Sequence, residues 1–132
     1  MIVVDASVLT PGLLYDDARG DLIRRRLAGE RLTAPGLVDL EVISSLRRIV
    51  RAGKETAERA QHALRDLVAL PLERVQHGDL AHRIWELRDN LSAYDASYVA
   101  LAERLDTLLL TADAAFARAP GIGCKIELLA VE

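Results

Sequence analysis

The chain has 132 residues, a length that fits one ordinary domain and lets a folded protein bury roughly two-thirds of the surface that its unfolded form exposes. Hydrophobic residues make up 51% of the chain and aromatic residues only 4%, so we expect a core of Leu, Ala, Val and Ile and no extensive disorder. The formal net charge of -3 argues against a protein that holds nucleic acid by its overall field, although a local basic patch is compatible with it.

Cysteine usage argues against a disulfide-stabilised or zinc-binding protein, and hydropathy argues against a membrane protein. Cys124 is the single cysteine of the chain, so no internal disulfide forms, and no Cys or His cluster has zinc-binding spacing. No basic segment precedes the apolar opening, Asp5 interrupts it, and no stretch approaches the ~18 apolar residues of a membrane span. These features predict a cytoplasmic protein without a secretion signal or a membrane anchor.

The amino-terminal part of the chain is predicted to begin with a strand and two helices. Residues 2–4 are predicted as the strand, and the helix that starts at Ser7 is expected to be shortened or broken at Pro11 and Gly12. The next helix is predicted over residues 17–28, because arginines at its carboxyl end suit the helix dipole and the glycine that follows can cap it.

The most regular helical pattern lies in "LVDLEVISSLRRIVRAG", residues 37–53, after a short predicted strand at 32–34. Its apolar residues recur three or four positions apart, and basic residues and a glycine end it, which is typical of an amphipathic helix. A similar stripe runs from Ala57 to Val68 and stops before Pro71. The stripe predicted to be buried in the first of these helices consists of Leu40, Ile43, Leu46, Ile49 and Val50.

The rest of the chain continues the alternation of strands and helices. Strands are predicted at 72–75, at 107–110 and in "KIELL", and helices at 79–87, from Ser92 onward and at 114–118. Strands that alternate with helices imply parallel pairing and a sheet covered on both faces. No repeat or linker interrupts the pattern, so we predict one domain over residues 1–132.

Acidic residues lie at four places where this architecture would bring them together. Asp5 and Asp113 directly follow predicted strands, and ligands of open α/β sheets collect at the carboxyl ends of strands. Asp95 lies in the first turn of its helix and on the apolar stripe, and Glu41 lies at the margin of the stripe of its own helix. Asp39 points roughly 200° away from Glu41 around that helix, so we do not expect it to serve the same site.

Each of these acids also has an ordinary structural explanation. Asp5 and Asp113 suit turns, Ser92 and Asp95 have the spacing of a capping box, and a glutamate near a helix amino end is favourable. As a group, however, they require neutralisation, because two carboxylates ~5 Å apart repel by roughly 3 kcal/mol at an effective dielectric of 20. Raised pKa values or a divalent cation would provide it, and Mg²⁺ and Mn²⁺ prefer ligand sets made only of oxygen.

The four acids lie in four motifs: Asp5 in "VVDASVL", Glu41 in "DLEVISSLRR", Asp95 in "SAYDASYVALAERL" and Asp113 in "LLLTADAAF". In this order and over essentially the whole chain, the motifs resemble those of PIN-domain nucleases, in particular the toxins of VapBC-type toxin–antitoxin systems. The resemblance implies a three-layer α/β/α sandwich with a central, mainly parallel sheet. It also implies a metal-dependent endoribonuclease that hydrolyses RNA phosphodiester bonds.

The resemblance further implies the site and the partners. By position, the metal ligands and catalytic residues are Asp5, Glu41, Asp95 and Asp113, with Ser7 and Thr111 as hydroxyls that support them. The implied cofactor is Mg²⁺ or Mn²⁺, as one ion or two. The implied partners are an RNA substrate, a cognate antitoxin and a second copy of the chain, in a homodimer and in a heterotetramer or larger assembly with the antitoxin. For the two hydroxyls, helix capping is an equally good explanation.

Basic and aromatic residues outside the motifs are less specific. Arg47, Arg48 and Arg51 follow Glu41 on one helix and are candidates for RNA binding, although solvated helix ends also look like this. Trp85 is assigned to the core or an interface, and the three histidines to the surface or to packing. Two other functions stay open: a catalytically silent binding module, and an aspartate-nucleophile phosphatase, which usually needs a second acid where this chain has a serine.

Overall fold

A computed structural model describes residues 1–131 of the chain. It contains a five-stranded sheet flanked by helices, which confirms the predicted fold class. Every neighbouring pair of strands is parallel, as expected for strands joined by helical crossovers. The strands are β1 (Ile2–Val4), β2 (Leu32–Pro35), β3 (Leu72–Val75), β4 (Leu109–Thr111) and β5 (Ile126–Leu128).

The helices agree closely with the predicted pattern. Within residues 1–131 they are α1 (Ala6–Leu14), α2 (Ala18–Leu27), α3 (Val38–Arg51), α4 (Ala57–Ala69), α5 (Ala81–Glu86), α6 (Ala93–Arg104) and α7 (Ala114–Arg118). A 3-10 turn, Gly78–Leu80, precedes α5 where one continuous helix was predicted. The strand predicted at 107–110 starts two residues later, because its pairing with β1 begins where Val3 meets Leu109. None of the helices in the described range is both long and apolar enough to cross a bilayer.

The predicted break of α1 at Pro11 and Gly12 is wrong. Six of the nine residues of α1 are buried, and the helix packs against α2, α3 and α4. Burial of these side chains outweighs the one backbone hydrogen bond that a proline removes, and the Tyr15 N–H still donates to the Pro11 carbonyl at 3.0 Å. Gly12 permits the close approach of α2, since a Cβ there would lie 2.7 Å from Cγ2 of Ile23.

The predicted buried stripe of α3 is only partly correct. Leu46 is buried, but the residues that share its buried face are Val38 and Val42, whereas Leu40 and Ile43 are 68% and 42% exposed. The predicted stripe included Leu40, which lies about 160° from Val42 around the helix, and left out the two valines on the buried face. The exposed side chains leave an apolar surface beside the mouth of the acidic cleft described below.

The prediction for the tryptophan is partly wrong, and the prediction for the histidines is correct. Trp85 is 67% exposed, so its assignment to the core is wrong and only the interface alternative stands. The reason is the short α5 helix, whose residues 81–86 include no buried side chain. The three histidines are exposed, as predicted for surface residues: His62, His77 and His82.

Candidate active site

The strand order positions the candidate site. The sheet runs β3-β2-β1-β4-β5, so the chain moves outward from β1 in one direction and then returns to add β4 on the other side. Ligands of open α/β sheets bind outside the carboxyl ends of the strands at such a switch point. Asp5 immediately follows β1, and Asp113 follows β4 after one intervening residue. The two ends are held together by a hydrogen bond from the Asp5 N–H to the Leu110 carbonyl, at 3.4 Å.

Helices α3 and α6 bring two more acids to this edge of the sheet. A cleft of about 550 Å³ opens there, and all four predicted acids line it: Asp5, Glu41, Asp95 and Asp113. They come from four separate segments spread over most of the chain, so the tertiary fold alone makes them neighbours. Ser7 and Arg48 also line the cleft. Arg47 and Arg51 are not among its lining residues.

Asp5 is the most enclosed of the acids, with 6% of its surface exposed. Its Oδ1 accepts a hydrogen bond from the Ser7 hydroxyl at 2.6 Å, and its Oδ2 accepts one from the Thr111 hydroxyl at 2.8 Å. Burial raises the pKa of Asp5 to about 6; the hydrogen bonds from Ser7 and Thr111 oppose that rise, and the nearby Glu41 charge adds to it. The side chain is therefore held by two hydrogen bonds, but among residues 1–131 no cationic side chain forms an ion pair with it.

The hydroxyls of Ser7 and Thr111 connect Asp5 to the loop after β4. The Ser7 oxygen accepts the Ala112 N–H at 2.9 Å, and the Thr111 oxygen accepts the Asp113 N–H at 3.0 Å. Because an ionised carboxylate only accepts hydrogen bonds, each hydroxyl directs its proton to Asp5. The loop after β4 thereby orients the acid after β1. Asp113 in turn accepts the Ala115 N–H at 2.9 Å and caps α7.

Glu41 is held by a residue that the sequence analysis missed. Tyr98 is 1% exposed, and its hydroxyl donates to Oε1 of Glu41 at 2.5 Å. Burial and this hydrogen bond raise the pKa of Tyr98, so the phenol remains a donor. Tyr98 lies three residues after Asp95, a spacing that puts both on one helix face, and this is the signal by which it could have been found.

Asp95 is affected by burial and by the negative charges of its neighbours in the cleft. Burial raises its pKa first, and the charges of Glu41 and Asp113 raise it further. Its own N–H donates to the Ser92 hydroxyl at 3.1 Å, which is one half of the predicted capping box. Asp39 lies outside the cleft and binds Arg74, with Oδ1 3.0 Å from Nη2. Asp39 does not share the cleft with Glu41, as expected.

Arg48 is the basic residue among those that line the cleft. Its Nη2 donates to the Ser45 hydroxyl at 3.1 Å, and among residues 1–131 no carboxylate forms an ion pair with it. Its charge is therefore available to an anion that enters the cleft.

The donor chemistry fits a hard divalent cation. Every acidic ligand is a carboxylate, and Mg²⁺ and Mn²⁺ prefer oxygen. Within the described residues no three His, Cys, Asp or Glu side chains stand close enough together to hold a metal ion as a group. Mg²⁺ does not require such a group, because it is usually bound by one or two carboxylates together with waters and substrate phosphates. The residues present are thus compatible with such an ion.

The family of the chain follows from comparison with known proteins. The family model for the PIN domain matches residues 2–122. Ribonuclease VapC9 of Mycobacterium tuberculosis is 44% identical over 129 residues, which cover 98% of each chain. Ribonuclease VapC1 of the same species is 41% identical over 128 residues, which cover 96% of each chain.

Solved structures show the same fold at low sequence identity. The crystal structure of VapC20 from M. tuberculosis, described as a toxin that cleaves the sarcin–ricin loop, has a TM-score of 0.66 at 19% identity and covers 89% of this chain and 93% of its own. VapBC2 from Rickettsia felis, crystallised with a DNA fragment from its promoter, has a TM-score of 0.65 at 17% identity and covers 97% and 98%. With the acidic cleft at its switch point and relatives that match nearly end to end, the chain belongs to the PIN-domain family, among its VapC members.

Proposed function

We propose that residues 1–132 form one nuclease domain, a Mg²⁺- or Mn²⁺-dependent endoribonuclease that acts in the cytoplasm as the toxin of a toxin–antitoxin pair. The observation that carries the proposal is the shared cleft of four carboxylates that lie far apart in the sequence. Relatives at 41–44% identity that carry the name ribonuclease support the same activity.

In this proposal the metal ligands are Asp5, Glu41, Asp95 and Asp113, of which one or two bind the ion directly and the others act through its waters. The ion, when bound, supplies positive charge for the transition state of phosphodiester hydrolysis and makes water a better nucleophile. The chain supplies the orientation of the ligands. Ser7 and Thr111 hold Asp5 through its two oxygens, and Tyr98 holds Glu41. A histidine base is not needed.

The substrate phosphate enters a cleft that is otherwise negatively charged, so a cation at its wall is required. We assign this role to Arg48, which lines the cleft without a carboxylate partner among the described residues. Arg47 and Arg51 are exposed on the same helix, outside the cleft. We assign them to contacts with more distant phosphates of the RNA backbone.

A cognate antitoxin and a second copy of the chain are the proposed protein partners, in a homodimer and in a heterotetramer or larger complex. The structural relative from R. felis is a VapBC assembly, which supports the antitoxin as a partner. Apolar side chains exposed around the cleft and the adjacent α5 helix support a protein contact: Leu40 (68%), Trp85 (67%) and Tyr94 (68%). Grouped apolar side chains of this kind are typical of interaction surfaces.

Cleavage of RNA by the purified chain tests the proposal. We expect cutting of structured RNA with Mg²⁺ or Mn²⁺, none in excess chelator, and none by Asp95→Asn. Asp89→Asn is the matched control, because Asp89 is exposed and lies outside the cleft, and it is expected to cut like the wild type. Equal activity of the two variants, or activity in chelator, would sink the proposal. RNA binding without cutting would fit a binding module, and phosphate release from p-nitrophenyl phosphate would fit a phosphatase.

A further inference from the structure

A second pocket, of about 350 Å³, adjoins the acidic cleft on the side of α1. The two share four lining residues, which we call the waist: Ala6, Ser7, Ser45 and Arg48. The cleft and the pocket therefore adjoin each other. Beyond the waist the lining contains no acid. We call it the side pocket.

The far wall of the side pocket is a planar stack. The guanidinium carbon of Arg19 lies 3.6 Å from the centroid of the Tyr15 ring. Asp17 accepts hydrogen bonds from Nε of Arg19 at 3.1 Å and from its Nη2 at 2.7 Å, which fixes the plane of the guanidinium. Both Tyr15 and Arg19 line the pocket. Arginine planes and aromatic rings are the surfaces on which RNA-binding proteins stack unpaired bases.

The waist and the floor of the side pocket are polar. Arg48 stands between the two depressions and donates to Ser45 at 3.1 Å. Thr10, which is 3% exposed, lines the pocket. Among residues 1–131 its hydroxyl is the one buried side-chain oxygen or nitrogen with no hydrogen-bond partner. Most buried polar atoms are satisfied, so an unpaired hydroxyl beneath a pocket calls for a reason.

We propose that the side pocket holds the nucleotide next to the phosphodiester that is cut, with its base against the Arg19–Tyr15 stack and its phosphate at Arg48. This inference rests on the proposed function. In the proposed function a metal ion neutralises the acids beneath the reacting phosphate. The next phosphate along the RNA strand has no such ion beneath it, so carboxylates would repel it.

The side pocket combines a stacking surface with Arg48, which also lines the acidic cleft and forms no ion pair within residues 1–131. The groove on the other side also contains a stacked pair, Arg88 on Trp85 at 4.5 Å, but none of its basic residues lines the acidic cleft. The apolar groove on the other side, beside Trp85 and Tyr94, offers mainly nonpolar surface and suits a protein better.

Metal-free RNA binding separates this role from catalysis. In chelator and in an Asp95→Asn background, the affinity for a short fluorescein-labelled single-stranded RNA of mixed sequence is measured by fluorescence anisotropy. Arg19→Gln is expected to weaken binding by roughly fivefold to 100-fold, the range for loss of one base-stacking contact. Arg25→Gln is the matched control: it removes an equal charge from an exposed residue of α2 that lines neither pocket, and it is expected to bind like the parent protein. The same contrast is expected between Arg48→Gln and Arg65→Gln, a change at an exposed residue of α4 that lines neither pocket.

Equal RNA affinity for Arg19→Gln and Arg25→Gln overturns the inference. It does so even if Arg19→Gln weakens the binding of a protein partner. A second measurement separates this failure from failure of the proposed function. Metal-loaded protein is tested on RNA and on bis(p-nitrophenyl) phosphate, a diester that carries no nucleobase. We expect Arg19→Gln to lose RNA cleavage and to keep hydrolysis of the small diester. If Arg19→Gln loses both activities to the same extent, the proposed role of the side pocket is wrong. If the wild type cleaves neither substrate, the proposed nuclease function is wrong.

Discussion

Tyr98 of α6 donates its hydroxyl to Oε1 of Glu41 on α3 at 2.5 Å, a contact between residues 57 positions apart that joins the two helices at the acidic cleft. The phenol is buried and stays protonated, so it acts only as a donor. It restrains a glutamate that would otherwise be free to turn away from the cleft. Tyr98 is therefore a positioning residue for a proposed metal ligand.

Tyr98→Phe is expected to fold and to bind Mn²⁺ roughly 10-fold to 100-fold more weakly, as is typical when a group that orients a ligand is lost. Isothermal titration calorimetry of the metal-free protein with Mn²⁺ measures the change without reference to activity. Tyr94→Phe is the control, because Tyr94 lines the same cleft but is 68% exposed. Identical Mn²⁺ affinities in the two variants would contradict the assigned role.

Divalent cations are expected to stabilise the wild-type protein. A ligand present at ~100 times its dissociation constant adds roughly 2.7 kcal/mol to the free energy of unfolding, which raises the melting temperature by several degrees. Asp5→Asn, which keeps the shape of the buried side chain, is expected to lose most of this shift. Differential scanning fluorimetry in chelator and in millimolar Mg²⁺ measures both proteins.

A change at an exposed acid away from the cleft controls for general salt effects on melting. Asp89→Asn is expected to show the full Mg²⁺ shift. If Mg²⁺ and Mn²⁺ leave the wild-type melting temperature unchanged up to high concentration, the cleft does not bind these ions and the proposed cofactor is wrong.

The ion pair between Glu103 and Arg83 predicts that stability depends on pH. Glu103 of α6 accepts hydrogen bonds from Arg83 at 2.6 and 2.9 Å and from the Gly123 N–H at 2.6 Å, which fastens the loop after α7 to α6. The Arg83 hydrogen bonds hold the pKa of Glu103 below its usual 4.5. Because the pKa is depressed in the folded state, the stabilisation is complete above pH 4.5 and is lost as the pH falls through the folded value.

Glu103→Gln is accordingly expected to cost about 1–3 kcal/mol of stability near neutral pH, the usual contribution of hydrogen bonds to a charged group, and progressively less in acid. Urea unfolding of both proteins at several pH values measures the difference. Glu86→Gln is the control, because Glu86 lies 3.6 Å from Arg83 but its side chain is 65% exposed. A difference for Glu103→Gln that does not vary with pH would exclude the ion pair as its cause.

The alternation of strands and helices was readable from the sequence because each element carries its own periodicity, caps and breakers. The predicted strand at 72–75 and helix at 114–118 have the observed bounds. The four acids were recognisable because their motifs occur in order at the ends of such elements, and the parallel sheet brings those ends to one edge. Their role as metal ligands stays a prediction.

Only the tertiary structure decided which faces pack and which side chains meet. Pro11 lies within a continuous helix because α1 is enclosed by three others, and Leu40 is exposed because α3 turns Val38 and Val42 to the core. The tertiary structure also places Arg48 in the lining of the cleft and leaves Arg47, the preceding residue, outside it. Sequence by itself determined what local preference can encode, namely the elements and the acids at their ends. Contacts such as Tyr98 with Glu41 depend on the packing energy of the whole chain, which no single segment contains.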